Sequence, residues 1–324
     1  MTTARTSNPV KDAPTTDAAA PGAVASRLQS ALAHVQTDAR RLFHGRGQQF
    51  PGLEHICIDW YPPVLLVTAY QPIACLDAII AAARLADVHQ QVKSILHQRR
   101  YETGAPADCA WGEPMDTCIV NEGDLKFEVH PGQQQNAGLF LDMRLLREWL
   151  VANTDGKQVL NLFAYTCALS VAAMAGGARG VVNVDMSKTS IRWGEENHAL
   201  NGQDPRRIKS LPHNIFKSWG RIKQFGRYDL IIIDPPARQR GSFDAEKNYG
   251  AILKKLGQMI VPGGEVIATI NSPYLGPDFL EGQFARWAPD FRLLSQMPVA
   301  PEFTDAFPER GLNILHYRHN GKRR

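Results

Sequence analysis

Cysteine is sparse in this chain: five residues in 324, at Cys57, Cys75, Cys109, Cys118 and Cys167, with no Cys-x-x-Cys pair. So few, odd in number and scattered, they fit neither a disulfide framework nor a zinc knuckle, and a reducing cytoplasm suits them best. Long apolar runs are also missing. None approaches the ~18 residues of a membrane span, and the N-terminus lacks the apolar core of a signal peptide. Charge of one sign is missing too: 36 Lys and Arg against 32 Asp and Glu leave a net +4. That balance pulls only weakly toward acidic partners such as nucleic acid. The histidines, among them His130, His198 and His213, have no ligand-like spacing, so no metal is expected.

What is there is enough apolar residue, 44%, for ordinary globular cores. Residues 1–24 are Ala, Thr, Pro and Asp, with little to bury against the entropy of ordering, and read as a disordered leader. Residues 25–130 read as a helix followed by a small α+β domain. The spacing of Leu28, Leu32, Val35, Ala39 and Leu42 predicts a helix over 26–42, and that of Leu76 to Ile95 a second over 75–96. Two runs split by Tyr61-Pro-Pro read as neighbouring strands, and residues 117–130 as a hairpin. From 131 to 324 the texture becomes α/β. Strands are predicted near 158–163, 180–185, 228–234 and 264–271, with helices at 141–153, 168–175, 188–200 and 246–260. A short strand is expected before His213, and an antiparallel pair at 291–297 and 312–318. Continuous apolar strands alternating with helices imply a mainly parallel, Rossmann-like sheet covered on both faces.

In such a sheet, ligands bind beyond the C-terminal strand ends. The first of these ends runs from Asn161 to Cys167, and no glycine occurs from Asn161 to Ala175. A dinucleotide site wants a glycine-rich turn so that backbone can approach the pyrophosphate. Its absence points to a ligand without phosphates, such as S-adenosylmethionine. The next strand ends at Asp185, about two dozen residues on, near the spacing of an acid that accepts ribose hydroxyl protons.

The stretch LNLFAYTCALSVAAMAGGARGVVNVDMSKTSIRWGEENHALNG, residues 160–202, resembles the cofactor half of class I S-adenosylmethionine-dependent methyltransferases. More narrowly, it is similar to bacterial 23S ribosomal RNA methyltransferases acting on guanine N7 or cytosine C5. Upstream, LKFEVHPGQQQNAGLFLDMRLLREWL resembles that family's entry segment, and RLFHGRGQQFPGLEHICIDWYPP its small middle domain. The resemblance implies an RNA substrate, 23S RNA or its precursor, and assigns residues. Phe140, Asp142 and Arg144 of the entry segment, with Asn161, Phe163, Ala164, Tyr165 and Thr166, would line the cofactor. Asp185 would bind the ribose, with Met186 and Ser187 beside the adenine. Asn214 and Ile215 would stand where an acid often meets the adenine amino group. Asp234, Pro235 and Pro236 would face the sulfonium and the target base, with Asn271 at the base edge. Cys167 stands where relatives often have glycine, which would cost free energy if φ is positive.

The methylated atom is approached by elimination. Cytosine C5 needs a covalent thiolate helper, yet ATINSP, residues 268–273, holds no cysteine where the family's C5 members carry one. An exocyclic amine is usually met by Asp-Pro-Pro-aromatic, and here the fourth position is Ala237; Phe243 or Tyr274 would have to stack instead. Guanine N7 carries a lone pair and needs only positioning, with Asp234, Asn271 and Ser272 offering hydrogen bonds. The segments GLFLDMR and SIRWGEENHALNG also resemble the N7 branch of the family most, and N7 is therefore favoured. A non-catalytic RNA-binding scaffold and a non-RNA substrate stay open. Arg238 and Arg240, with basic pairs at 40–41, 99–100, 206–207 and 322–324, are candidate phosphate contacts.

Overall fold

A computed structural model describes residues 20–239 and 242–321. Within the second half, alternation in each strand decides the layering. In β11 (Tyr228–Ile233), Leu230 and Ile232 point to one face and Ile231 and Ile233 to the other, all fully buried. The first pair joins a core with Leu146, Leu150 and Val171; the second joins one with Ile252, Leu253 and Leu280. A strand apolar on both faces must be sandwiched between helices. Each such side chain contributes roughly 1.5–3 kcal/mol on burial.

The elements follow in chain order. Helix α1 (Ala20–Leu32) precedes β1 (Arg40–His44), β2 (Ile56–Tyr61), β3 (Val64–Ala69), α2 (Leu76–Ala86), β4 (Ser94–Arg99) and β5 (Ala107–Gly112). These five strands form one sheet in the order β1-β2-β3-β4-β5, with β3 and β4 parallel and the other pairs antiparallel. A hairpin of β6 (Cys118–Glu122) and β7 (Leu125–Val129) comes next, then α3 (Arg144–Asn153), β8 (Gln158–Leu162), α4 (Ala168–Ala175), β9 (Gly180–Asp185), α5 (Lys188–Leu200), β10 (Ile208–Pro212) and α6 (Trp219–Gln224). After β11 a two-stranded ribbon, β12 (Arg238–Gln239) and β13 (Phe243–Asp244), leads to α7 (Ala245–Leu256), β14 (Ile260–Asn271), α8 (Pro277–Trp287), β15 (Phe291–Met297) and β16 (Leu312–His319). The large sheet has the order β10-β9-β8-β11-β14-β16-β15. Its first five strands are parallel, and β16 runs antiparallel to both β14 and β15. Strand order reverses between β8 and β11, which opens a crevice at their C-terminal ends.

The expected Rossmann-like sheet, with its antiparallel final pair, is therefore present. Several elements differ from expectation. The helix expected over residues 26–42 is α1, which starts at Ala20 and ends at Leu32. Val35 beyond it is 64% exposed, and Leu42 lies in β1. Strand pairing with β2 claims residues whose spacing alone suits a helix. Residues 20–24, read as leader, are helical, while residues 1–19 lie outside the described residues. Helix α2 stops at Ala86 because the Asp87 carboxylate accepts the backbone N–H groups of Gln91 and Val92 at 3.0 and 2.8 Å. The chain then enters β4, so Ile95 and Leu96 are strand residues. Strand β5 and helices α6 and α8 are additional. The β6–β7 hairpin packs on the large-sheet layer: Glu122 pairs with Arg147, and the Glu128 N–H donates to Asn197 Oδ1 at 2.9 Å.

Candidate active site

The loop after β8 carries the local signature of the site. Phe163, Tyr165 and Cys167 have φ of 61°, 46° and 61°. Three non-glycine residues in the left-handed region within five positions cost on the order of 1 kcal/mol each. The loop is held there from several sides. Asp185 at the end of β9 accepts the Tyr165 N–H on one carboxylate oxygen at 3.0 Å and the Ser187 N–H on the other at 2.8 Å. The Thr166 hydroxyl donates to the Gly138 carbonyl at 2.5 Å, and Asn197 Nδ2 donates to the Thr166 carbonyl at 3.0 Å.

Two glycines make this packing feasible. Gly138 has φ of 105°, and a Cβ there would meet the Trp193 ring at 2.2 Å. A Cβ on Gly194 of α5 would meet Cys167 Sγ at 2.3 Å. Cys167 therefore does two things: it caps α4 in the left-handed conformation, and it fills the groove that Gly194 leaves. Gly194→Ala is expected to lower unfolding free energy by about 1–3 kcal/mol through overpacking. Cys167→Gly in the same chain, which removes the obstructing sulfur, restores most of it. Urea unfolding of the two single variants and the double variant checks this; additive losses would refute the contact.

Around the strand ends lies a cleft of about 970 Å³. Its walls include Ala164 to Thr166, Asp185 to Ser187, Asn214 and Ile215, and Asp234 to Pro236. Asp234 ends β11 and accepts a hydrogen bond from the Thr269 hydroxyl of β14. Burial pushes its carboxyl up to about 6. Burial also raises Asp142, which lies at the mouth and accepts from Asn271 Nδ2 at 3.3 Å. Beneath them Arg147 is fully buried. Its guanidinium forks onto both Glu122 oxygens at 2.6 Å and donates to the Phe140 carbonyl at 2.9 Å. A second chamber of about 500 Å³ adjoins the first, and Arg46, Arg100, Phe140, Asp142 and Asn271 are among the residues that line both.

The wall from Phe163 to Ser187 holds the Asp185 carboxylate and no Lys or Arg, while Arg46, Arg100, Arg147 and Arg238 lie on the rest of the lining. Such a donor-poor, acceptor-rich wall suits a ligand that brings hydroxyl protons and a positive charge, and it suits a phosphate poorly. The comparisons with known proteins agree. Residues 40–318 match the family model described as S-adenosylmethionine-dependent methyltransferase. The chain belongs to that family. It is an enzyme that uses S-adenosylmethionine as methyl donor. It is 32% identical over 231 residues to a ribosomal RNA large subunit methyltransferase K/L of Shewanella pealeana, and 31% identical over 234 residues to that of Hahella chejuensis. Each alignment covers 67% of this chain and 32% of the relative, so the chain spans about a third of the length of these relatives. In fold it resembles SMU.776 solved with SAH, at a TM-score of 0.81 and 24% identity over 92% of this chain and 81% of that one. It also resembles the M. jannaschii tRNA m1G37 methyltransferase, at 0.60 and 14% over 82% and 72%.

With the family known, the sequence-based assignments sort by position. Phe140, Asp142, Phe163, Ala164, Tyr165, Thr166, Asp185, Met186, Ser187, Asn214, Ile215, Asp234, Pro235, Pro236 and Asn271 all line the cleft of this methyltransferase. Arg144 does not. It points away to Glu302 and to Glu148, at 3.1 and 2.6 Å. The arginine under the cleft is Arg147, one helical turn on. Asn161 is fully buried beneath the sheet end, where its Nδ2 donates to Asn183 Oδ1 at 3.1 Å. Ser272 is also withdrawn: its Oγ accepts the N–H groups of Tyr274 and Leu275 and closes the turn after β14. Asn214 spends one acceptor on the Phe216 N–H at 2.9 Å. Phe243 is buried against Phe163 and Phe216, whereas Tyr274 is 92% exposed. Among the basic residues, Arg41 pairs with Asp59, Arg99 with Glu102 and Asp108, and Arg206 with Asp204; Arg238 lies 4.0 Å from Asp244. Arg240 and residues 322–324 lie outside the described residues.

Proposed function

We propose that this enzyme methylates a base of large-subunit ribosomal RNA, and that the acceptor atom is guanine N7. Asp185 receives both ribose hydroxyls, Met186 and Ile215 sandwich the adenine, and Phe163 to Thr166 line the methionine arm. Asp234 faces the sulfonium. S-adenosylmethionine supplies the electrophilic methyl carbon, and the chain supplies approach, charge and exclusion of water. The observation that carries the choice of atom is the lining itself: among the described residues, no thiol borders either chamber. A C5 acceptor needs such a nucleophile; N7, with its free lone pair, does not. Methyl transfer moves a positive charge from sulfur to the purine ring, and the Asp234 carboxylate lies where it can offset that charge on either side of the reaction. The K/L relatives support the RNA substrate.

The test is methylation in vitro. Protein-free large-subunit RNA and tritiated donor are incubated with the chain, and the labelled nucleoside is identified by mass. We expect 7-methylguanosine. Label in 5-methylcytidine or an N-methylated amine would overturn the atom, and an unlabelled RNA would overturn the substrate.

A further inference from the structure

The second chamber contains more than a passage to the cofactor needs. Three features converge on it. First, Arg46 and Arg100 flank the Tyr70 ring, their guanidinium carbons 4.3 and 5.4 Å from its centroid. The topology brings them there: β3 and β4 are parallel, so Tyr70 and Arg100 leave the sheet side by side, and the Arg100 N–H donates to the Ala69 carbonyl at 2.8 Å. Second, neither arginine pairs with a carboxylate among the described residues; Arg100 donates instead to the Gln135 carbonyl at 2.7 Å. A third arginine of the chamber, Arg310, lies over one face of the Phe307 ring at 4.8 Å and 3.8 Å from Glu309, and the carboxylates facing the chamber are already engaged. Asp59 is held by both arms of Arg41, Asp305 faces His44 at 3.5 Å, and Asp142 accepts from Asn271. Third, of the four aromatic side chains that are strongly exposed among the described residues, Tyr101, Phe140, Tyr274 and Phe307, the last three line this chamber.

Unpaired guanidinium groups beside exposed rings, in a groove leading to a reactive centre, suit one ligand chemistry: a single strand of nucleic acid with splayed bases. Paired bases would hide the faces that these rings need. We infer that the chamber is a single-stranded RNA subsite. In it Arg46 and Arg100 grip a backbone phosphate beside the target nucleotide, and Tyr274 and Phe307 stack the bases flanking it. The choice of RNA rests on the reading above; the grip on a single strand rests on the chamber.

Fluorescence anisotropy with a labelled single-stranded RNA dodecamer, the full chain and saturating S-adenosylhomocysteine tests it. Arg46→Ala/Arg100→Ala should weaken binding about 30-fold or more. It should also flatten the plot of log affinity against log salt by about 0.7, the loss expected for one single-strand phosphate contact. Tyr274→Ala/Phe307→Ala should weaken binding about 10- to 100-fold with the slope unchanged. The thermal unfolding midpoint should stay at the wild-type value in both, which shows an intact fold. Unchanged RNA affinity and slope in the variants would overturn the subsite, as would equal competition by a duplex of the same sequence or no binding by the wild type. Methylation separates the two readings. Binding of this kind without methylation of ribosomal RNA would sink the substrate and leave the subsite. Methylation with an unaltered KM in both variants would sink the subsite and leave the substrate.

Discussion

Asp185→Ala is expected to weaken S-adenosylhomocysteine binding by three orders of magnitude or more. On the proposed reading the carboxylate has two tasks. Each oxygen already accepts one backbone N–H, from Tyr165 and from Ser187. Asp185 lines the cleft, where a ribose diol would supply two further protons to its remaining lone pairs. Charge-assisted bonds of this kind contribute about 1.5–3 kcal/mol each, so losing two gives roughly the stated factor. Alanine also releases the Tyr165 and Ser187 amides, so the loop could shift as well. Asp185→Asn separates the effects. Its oxygen can keep one backbone bond, but its NH2 group cannot accept a hydroxyl proton. If the ribose assignment holds, the asparagine variant unfolds near the wild-type temperature yet binds at least ~100-fold more weakly. Calorimetry that gives both variants wild-type affinity would remove Asp185 from the cofactor site.

That carboxylate was legible in the sequence because it stands where an apolar run stops. The same holds for Asp234. β9 and β11 are buried on both faces, so their apolar runs are long and end sharply at the crevice. The helices of this half were equally clear, since each needs one apolar stripe. Ambiguity arose where strands are short and half-covered. Residues 94–96 continue a helical spacing, yet they lie in β4, between β3 and β5, and the Asp87 carboxylate holds the turn that separates α2 from that strand. Local pattern could not have found this, because the choice depends on partners far along the chain.

Side-chain direction was the other blind spot. Arg144 and Arg147 are both arginines in one short helix. Only the acid at position 122, in a separate hairpin, makes Arg147 the buried one. Asp185 ends β9, but Asn161 lies one residue before the end of β8, and its side chain enters the core network of Asn183 and His198. The long motif around SIRWGEENHALNG proves to be largely structural. Its Trp193 packs under Gly138, its Gly194 receives Cys167, and its Asn197 ties the cofactor loop to β7. A signal for that role was present in the pairing of the loop cysteine Cys167 with the later Gly194, but it reads as packing only in three dimensions. The second chamber was least visible of all. Arg46, Tyr70 and Arg100 lie on three separate connections of the small sheet.

Asp234→Ala should reduce single-turnover methyl transfer by roughly 10²–10³-fold, in the range of other preorganised electrostatic contacts to a reacting centre. Binding of S-adenosylhomocysteine, which lacks the sulfonium charge, should change by less than about threefold. Binding of S-adenosylmethionine should weaken further, because its cation loses a carboxylate neighbour. Protonation gives the same prediction without a mutation. Burial raises the Asp234 carboxyl to about 6. Its charged form is therefore depleted as pH falls through that value, and the methyl-transfer rate should fall with it. For stability the sign is opposite. A carboxyl raised above its unfolded value favours folding fully at pH below the unfolded pKa, and that contribution is lost as pH rises through about 6. Asp234→Asn, neutral throughout, should thus lose the pH dependence of the rate near 6 and gain stability relative to wild type at pH 8. Equal activity of Asp234→Ala and wild type would refute the role. A rate loss with the low-pH limb intact in Asp234→Asn would instead assign that limb to Asp142, the other raised carboxyl at the cleft mouth.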